Sequence, residues 1–377
     1  MSSTPTLRDP LALSRRILLG ATAAGALALT SGALAQDATP GTPVTPGSPV
    51  TGGPAPDAQM QEVLDALAAF EAPPLESVTP EIGRNLPSFA NALQAVIAAK
   101  GLPAFEPVGA IEHILIPSAD GEILARIYRP LEAGSDALPV LVYFHGGGFV
   151  IANLDTYDAS CRALTNATGC IVASIAYRQA PEHSFPAPVD DAYAATQYFL
   201  ENAGDIGGDP AKVAVAGESA GGNLAAVVSL RARDEGAPMP VHQLLVYPVT
   251  TFAPEGEAAA SLEQFADARP LNAAMLEWFT SHYLPDPGDA TDPEASPLEA
   301  EDLSDLPPTT VILAEIDPLQ SQGAAFAERL EEAGVDVSLT LYQGVTHEFF
   351  GMGAVVDKAA EAVDEAAARL TASFEAV

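Results

Sequence analysis

Short, continuously apolar segments alternate with helical stretches along most of the chain after residue 106. The apolar segments are VLVYF, IVASIAY, VAVAG, QLLVY, TVILAE and VSLTLY. Strands that are apolar at every position are buried on both faces, as in a parallel sheet that is covered by helices. The pattern therefore predicts an α/β fold with a doubly wound, mostly parallel sheet over residues 106–377.

Three regions depart from this alternation. The segments AIEHILIP and EILARIYRP have alternating polarity and are joined through an Asp-Gly pair, which predicts a hairpin at an antiparallel N-terminal edge of the sheet. Residues 59–105 have a helical period, and residues 250–308 are rich in Ala, Glu, Asp and Pro. Because a plain connection is rarely that long, we predict that 250–308 is an inserted helical cap, with 59–105 as its N-terminal part.

The first 58 residues are expected to lie outside the fold. Residues 1–35 combine a basic start, an apolar stretch and the small residues ALA, which is the layout of an export signal peptide. Arg15 and Arg16 favour the twin-arginine pathway over the general secretory pathway, so a periplasmic or secreted protein is expected. Residues 36–58 are rich in Pro, Thr and Gly and predict a disordered linker.

Charge and cysteine content restrict the partners. The chain has 50 Asp and Glu residues against 16 Lys and Arg, which gives a formal net charge of −34. Neither binding of nucleic acid nor membrane insertion of the mature chain is expected, because such a surface repels polyanions and anionic lipid. Cys161 and Cys170 are interpreted as separate buried thiols, and no metal and no cofactor are predicted. The oligomeric state stays open between a monomer and a homodimer.

The segment VAVAGESAGGNLAA places Gly-Glu-Ser-Ala-Gly between a predicted buried strand and a predicted helix. This is the sequence and the context of a nucleophile elbow, a tight and strained turn that exposes a serine hydroxyl. Ser219 is therefore the candidate nucleophile. Glu218, next to it, is expected to support the loop.

A serine nucleophile needs a base, and in an elbow-type site the acid and the histidine follow the serine in the chain. Among the histidines, His347 in the segment YQGVTHEFF follows the nucleophile by enough chain to reach the end of the last strand. Apart from His145, the other histidines have other places in the predicted fold. His113 lies in the hairpin, His183 precedes the serine, His242 opens a strand and His282 lies in the predicted cap. His347 is therefore the candidate base.

The candidate acid is Asp317. It directly follows the buried strand TTVILAEI and precedes a proline, so its carboxylate is expected at the carboxyl edge of the sheet. Ligands and catalytic groups of open α/β sheets gather at that edge. Glu315, in the same strand, is the alternative acid.

Three glycines in the segment HGGGF follow the strand LPVLVYF. Attack on an ester carbonyl creates an oxyanion, which needs N–H donors that are already aimed at it. Gly146 and Gly147 are the candidate donors, together with Ala220, because glycine lets the main chain approach a substrate without a Cβ. His145 and Gly148 are expected to support the loop.

The motifs HGGGF, YRQAPEHSFPAP, GESAGGN, DPL and THEFF, in this order and spacing, resemble those of the bacterial hormone-sensitive-lipase-like esterases, the GDXG family. The resemblance covers about residues 110–350 and implies an α/β-hydrolase fold. It further implies hydrolysis of a small-molecule carboxylic ester through an acyl-enzyme, with short acyl chains. The implied triad and oxyanion donors are Ser219, Asp317 and His347 with Gly146, Gly147 and Ala220.

Two positions depart from the family pattern and concern substrate preference. Gln179 stands where the family usually has Leu, and the segment DPLQSQG lacks the charged residues that usually follow DPL. An amidase, a peptidase or a lactonase stays open, because the same triad serves acyl transfer in general. A non-catalytic binding protein, such as the plant gibberellin receptor, which resembles the family but lacks the histidine, fits less well because every triad position is filled.

Overall fold

The strands form a single sheet. The computed structural model describes residues 53–377 apart from Ala119, Ala133 and Ser135, so the predicted signal peptide and most of the predicted linker lie outside the described residues. The strands of the described part are β1 Ala110–Ser118, β2 Gly121–Arg129, β3 Leu138–Phe144, β4 Ile171–Ile175, β5 Gly208–Glu218, β6 Gln243–Val246, β7 Thr309–Ile316 and β8 Val337–Thr346.

The strand order across the sheet is β1-β2-β4-β3-β5-β6-β7-β8. β3 to β8 run parallel, whereas β2 pairs antiparallel with both β1 and β4. The predicted mostly parallel sheet with an antiparallel N-terminal edge is thus confirmed. The next two strands in the chain, β4 and β5, lie on opposite sides of β3. The loops after β3 and β5 therefore meet at the carboxyl edge, where such sheets bind ligands.

Helices cover both faces of this sheet. They are, in the described residues, α1 Ala58–Ala68, α2 Pro80–Gly83, α3 Phe89–Lys100, α4 Asp158–Thr168, α5 Ala187–Asn202, α6 Ala220–Glu235, α7 Ala260–Gln264, α8 Ala273–Tyr283, α9 Gln320–Glu332 and α10 Asp357–Glu375. Asp57 caps α1, because its carboxylate accepts the Met60 N–H at 2.9 Å. Its own N–H donates to the Gly344 carbonyl at 2.8 Å, which attaches the start of α1 to β8.

The two faces of the central strands bury different layers. Val140, Val142 and Phe144 of β3 pack in the cluster that contains α5, α6 and α9. Leu141 and Tyr143 point the other way and pack in the cluster that contains α4 and α10. Burial on both faces is the reason why this strand is apolar at every position.

The N-terminal helices divide between these two layers. α1 and α3 belong to the cluster of α4 and α10. Residues 75–86 lie on the opposite face against α8, where the indole N–H of Trp278 donates to the Val78 carbonyl at 3.1 Å. The sequence grouped residues 59–105 as one part of a cap; in the structure, residues 75–86 make the contact with α8 while α1 and α3 pack elsewhere.

The two cysteines are buried and free, as expected. Cys161 lies in α4 and Cys170 immediately before β4, and both pack in the cluster that contains α4 and α10. Within residues 53–377, no helix has both the length and the apolar character required to cross a membrane. The same described residues contain no group of three or more His, Cys, Asp and Glu side chains that could hold a metal ion.

Candidate active site

Ser219 occupies the turn between β5 and α6. Its backbone has φ +56° and ψ −117°, a conformation that residues other than glycine rarely adopt. A Cβ on Gly217 would collide with the backbone of Gly221, and a Cβ on Gly221 with the carbonyl of Phe144. The two glycines therefore make the tight turn possible, and the strained backbone presents the serine at the end of the strand.

Three side chains, which follow β5, β7 and β8, form one hydrogen-bonded row: Ser219, His347 and Asp317. The Ser219 Oγ lies 3.0 Å from Nε2 of His347, and Nδ1 of His347 lies 2.7 Å from Oδ2 of Asp317. All three are nearly inaccessible, with 6% of Ser219, 3% of His347 and 0% of Asp317 exposed. In this geometry Nε2 can accept the serine proton while the carboxylate holds the other ring nitrogen.

Asp317 is fixed on both of its oxygens. Oδ1 accepts the Leu319 N–H at 2.8 Å, while Oδ2 faces the imidazole. Burial alone would lower the pKa of His347, but the carboxylates of Asp317, Glu348 and Glu218 together outweigh burial and raise this pKa above its ordinary value. Glu315, the alternative acid, instead accepts the Gly344 N–H at 2.7 Å. The structure thus places Asp317, and not Glu315, beside the imidazole.

The HGGGF loop supplies unpaired N–H donors next to the nucleophile. In the described part of the chain, the N–H groups of Gly146, Gly147 and Ala220 make no hydrogen bond to another protein group. Gly146 lies against the Glu218 carbonyl, one residue before Ser219. Free backbone donors at this place are what a developing oxyanion requires.

The structure gives the three glycines a second reason. A Cβ on Gly146 would collide with the Tyr157 hydroxyl, and a Cβ on Gly148 with the ring of Phe279. Gly147 has φ +99° and Gly148 φ +59°, conformations that favour glycine. The sequence explained these glycines by room for a substrate; the structure adds that Gly146 and Gly148 leave room for the side chains of Tyr157 and Phe279, which pack against the loop.

His145 has the geometry of a residue that supports the loop. Its Nδ1 lies 2.8 Å from the Gly146 carbonyl, and its ring stacks on Tyr177 with centroids 4.4 Å apart. The Tyr177 hydroxyl donates to the His145 carbonyl at 2.8 Å. Burial lowers the pKa of His145 to about 4, so the ring is neutral near pH 7 and Nδ1 can donate its proton to the loop carbonyl.

The side chain of Glu218 contacts the neighbouring strands rather than the glycine loop. Its carboxylate accepts the hydroxyls of Tyr143 in β3 and Tyr247 after β6. Burial raises the pKa of this carboxyl group. Glu218 therefore joins β5 to both neighbouring strands, and its contribution to the loop passes through the end of β3.

Two sets of contacts near the site were not singled out from the sequence. The Tyr157 hydroxyl donates to both carboxylate oxygens of Glu348, at 2.8 and 2.9 Å. Arg84 donates to the Val150 and Ala180 carbonyls, both at 2.8 Å. The position of Glu348 directly after the candidate base was a signal that could have found it, whereas nothing local distinguishes Tyr157 or Arg84.

The two departures from the family pattern both hold loops near the site. Gln179 Nε2 donates to the Ile151 carbonyl at 2.7 Å, just after the HGGGF loop. Gln322, in the segment after DPL, accepts the N–H groups of Thr250 and Thr251 at 2.6 and 3.0 Å. These amides anchor the HGGGF loop and the start of the segment 250–308.

Besides His145, four histidines lie outside the Ser219–His347–Asp317 triad. His242 is buried between Ser373 and Thr310, at 2.9 and 3.0 Å. His113 contacts the Arg126 side chain, and His282 contacts the Trp278 carbonyl. His183 is exposed. These contacts give His113, His242 and His282 a structural role.

A cavity of about 700 Å³ lies beside the site, between α3, residues 102–107 and the start of α4. Its lining includes Ser160 and Met352 but neither Ser219 nor His347. This cavity is therefore separate from the triad.

Comparisons with known proteins agree with this geometry. A family model described as an alpha/beta hydrolase fold matches residues 141–351. A carboxylic ester hydrolase of Mycobacterium tuberculosis, LipN, is 44% identical over 248 residues, which are 64% of this chain and 65% of LipN. The match thus spans less than two thirds of that relative. An ethyl acetate hydrolase of Pseudomonas putida is 38% identical over 71% of this chain and 83% of its own length.

Solved structures are similar over a larger share of the chain. An esterase of Pyrobaculum calidifontis is 37% identical with a TM-score of 0.75, and it covers 85% of this chain and 99% of its own. A thermostable esterase of Pseudomonas putida is 33% identical with a TM-score of 0.77, over 86% of this chain and 99% of its own. The fold, the motifs and these matches together show that the chain belongs to the α/β-hydrolase family, in its hormone-sensitive-lipase-like group.

Proposed function

We propose that this protein is a serine esterase that hydrolyses soluble carboxylic esters with short acyl chains. The observation that carries the proposal is the row from Ser219 through His347 to Asp317, beside unpaired backbone donors. Relatives that are named as ester hydrolases and esterases support the reaction class. One of them is named for ethyl acetate, a small ester, which supports the short acyl group.

The first half of the reaction forms an acyl-enzyme. His347 Nε2 takes the Ser219 proton as Oγ attacks the ester carbonyl carbon, and the carbonyl oxygen becomes an oxyanion. The N–H groups of Gly146, Gly147 and Ala220 stabilise that oxyanion. When the bond between the carbonyl carbon and the alcohol oxygen breaks, the protonated imidazole gives its proton to the leaving alcohol.

The second half regenerates the serine. A water molecule attacks the acyl carbon and passes a proton to His347 Nε2, and the same oxyanion donors act again. The bond between the acyl carbon and Oγ breaks, Ser219 recovers its proton from the imidazolium, and the carboxylic acid leaves. Asp317 keeps the imidazole oriented throughout both halves.

The cap supports a short acyl group. The ring of Tyr283 stacks on Phe149 at 3.8 Å, and Phe279 packs on Gly148, so aromatic side chains of α8 lie directly on the HGGGF loop. Such contacts favour a small enclosed acyl site. The segment 250–308 is also rich in Asp and Glu, which opposes docking on an anionic lipid surface.

A chain-length series of nitrophenyl esters tests the proposal, from acetate through butyrate and octanoate to palmitate. We expect kcat/KM to be highest for the short esters and absent in Ser219→Ala, which serves as the matched control. Emulsified triglyceride and a nitroanilide amide complete the set. A rate that peaks at palmitate, or that rises sharply once triglyceride forms an interface, would show a lipase instead; preference for the amide would show an amidase.

We also propose that the chain is exported by the twin-arginine pathway. The support is the sequence alone, with Arg15 and Arg16 before an apolar stretch. Replacing both arginines by lysine should prevent secretion of the folded enzyme. Unchanged secretion of that double variant would favour the general secretory pathway.

A further inference from the structure

Glu348 is a buried carboxyl group that the mechanism above does not use. It directly follows His347 and is 8% exposed. Its φ is +73°, in the left-handed region that few residues with a side chain occupy. A strained backbone that persists at a functional site points to a role for the side chain that it positions.

The carboxylate lies beside the working nitrogen of the candidate base. Glu348 Oε1 is 3.9 Å from His347 Nε2, the nitrogen that faces Ser219. Asp317 lies at the other nitrogen, 2.7 Å from Nδ1. The imidazole therefore has a carboxylate on each side, one in hydrogen-bond contact and one at the distance of a weaker ion pair.

Tyr157 connects this carboxylate to the oxyanion loop. Its hydroxyl donates to both oxygens of Glu348 and occupies the place where a Cβ on Gly146 would lie. Its ring also lies 6.0 Å from that of His145 and packs edge-on against Phe89. One side chain thus contacts both the loop that holds the base and the loop that carries the donors.

We propose that Glu348 is a positioning residue for the reaction: its charge stabilises protonated His347, and its contact with Tyr157 fixes Gly146 beside the nucleophile. This inference rests on the proposed esterase function. Protonated His347 forms twice in each turnover, when Ser219 and then water give up a proton. A negative charge near Nε2 stabilises that state in both halves of the reaction.

The groups around Glu348 set the pH range in which this charge exists. Burial, together with repulsion from Glu218 and Asp317, raises the pKa of Glu348 to about 7. His347 and the Tyr157 hydroxyl act in the opposite direction. The carboxylate is therefore ionised at pH values above about 7, where an esterase that depends on a neutral histidine is active.

The test is Glu348→Gln, which keeps an acceptor for Tyr157 and removes the charge. We expect the fold and KM to be unchanged, kcat to fall roughly tenfold, and the acid midpoint of the pH profile to move down by roughly one unit. The midpoint moves down because loss of the negative charge makes the imidazole easier to deprotonate. Glu348→Asp should keep the midpoint near that of the unaltered protein, because it keeps the charge.

Glu315→Gln is the matched control, because Glu315 is a nearby carboxylate that accepts a backbone N–H outside the row. It should change neither kcat nor the midpoint. Tyr157→Phe should also lower the midpoint, but by less than Glu348→Gln. Without the hydroxyl donor the Glu348 carboxyl group ionises less readily, so less negative charge stabilises the imidazolium. A Glu348→Gln variant with normal kcat, or with reduced kcat and an unmoved midpoint, overturns the proposal.

The same midpoint is also measured from the rate at which a fluorophosphonate inactivates Ser219 at each pH. Inactivation needs the Ser219–His347 pair but no ester turnover. This readout therefore decides the role of Glu348 separately from the substrate. A protein that is inactivated at Ser219 yet hydrolyses no ester of the series contradicts the proposed function alone.

Discussion

The triad and the oxyanion loop are held in place by different means. Each member of the triad follows a strand of the same sheet, and two hydrogen bonds join the three side chains. The oxyanion loop and the residues that directly follow it, 145–152, are held mostly by groups from outside the sheet. These groups are Arg84, Tyr157, Gln179 and Phe279.

This difference separates chemistry from architecture. A conservative change in the triad removes a reacting group while the sheet that carries it stays intact. A change in the loop disturbs contacts with α8 and with the start of α4, so activity and stability should fall together. Four experiments test this contrast.

The largest effect is expected for Ser219→Ala. Removal of the nucleophile should lower kcat by roughly a millionfold, because members of a triad act as a unit. The melting temperature should stay the same or rise, since alanine removes only one hydroxyl. Ester assays and calorimetry on the same sample provide the comparison, and near-normal turnover would show that another residue is the nucleophile.

A change in the loop should cost less activity but more stability. Gly146→Ala brings a methyl group against the Tyr157 hydroxyl. We expect a loss of roughly 10²–10³ in kcat, as for one oxyanion donor, and a loss of about 1–3 kcal/mol in the free energy of unfolding. Gly204→Ala is the control, because a Cβ there meets nothing within 4 Å. Equal losses in both variants would contradict the tight packing of the loop.

The pH profile should depend on the triad histidine and not on the loop histidine. The pKa of His347 is raised above 6.5, whereas burial lowers that of His145 to about 4. Since the base must be neutral, kcat/KM should fall about tenfold for each pH unit below a midpoint above 6.5. A midpoint well below 6.5 would mean that the carboxylates around His347, Asp317 foremost, do not outweigh burial.

The smallest effect is expected for Gln179→Leu, which restores the residue usual in the family. The change removes the hydrogen bond to the Ile151 carbonyl. We expect a loss of about 0.5–1.5 kcal/mol in stability, the usual net value of one such bond, with a shift in relative rates across the ester series. Stability is measured by denaturant unfolding. A loss of activity as large as that of Gly146→Ala would make Gln179 a main support of the loop.

The fold and the triad could be predicted because their signals are local. Each central strand is apolar at every position, and this follows from its burial between two helical layers. Ser219 lies in a motif whose glycines are required by its own turn. Asp317 and His347 follow strands, so the parallel direction of those strands was enough to bring them to one edge.

The supports of the loop could not be predicted because their signals are distant. Arg84 contacts carbonyls that lie 66 and 96 residues further along the chain. Tyr157 and Glu348 are 191 residues apart, and the left-handed backbone of Glu348 leaves no mark in the residue type. The division of residues 59–105 between two layers is likewise set by packing partners that local periodicity does not specify.

The buried thiols give the protein an internal reporter of local opening. Burial raises the pKa of Cys170 to about 12 and that of Cys161 well above its ordinary value, so neither carries a reactive thiolate while the structure is closed. Maleimide can therefore modify either residue only when the layer between α4 and β4 separates. Because Tyr157 immediately precedes α4, the labelling rate of Cys161 measures how often the support of the oxyanion loop comes apart in the native enzyme.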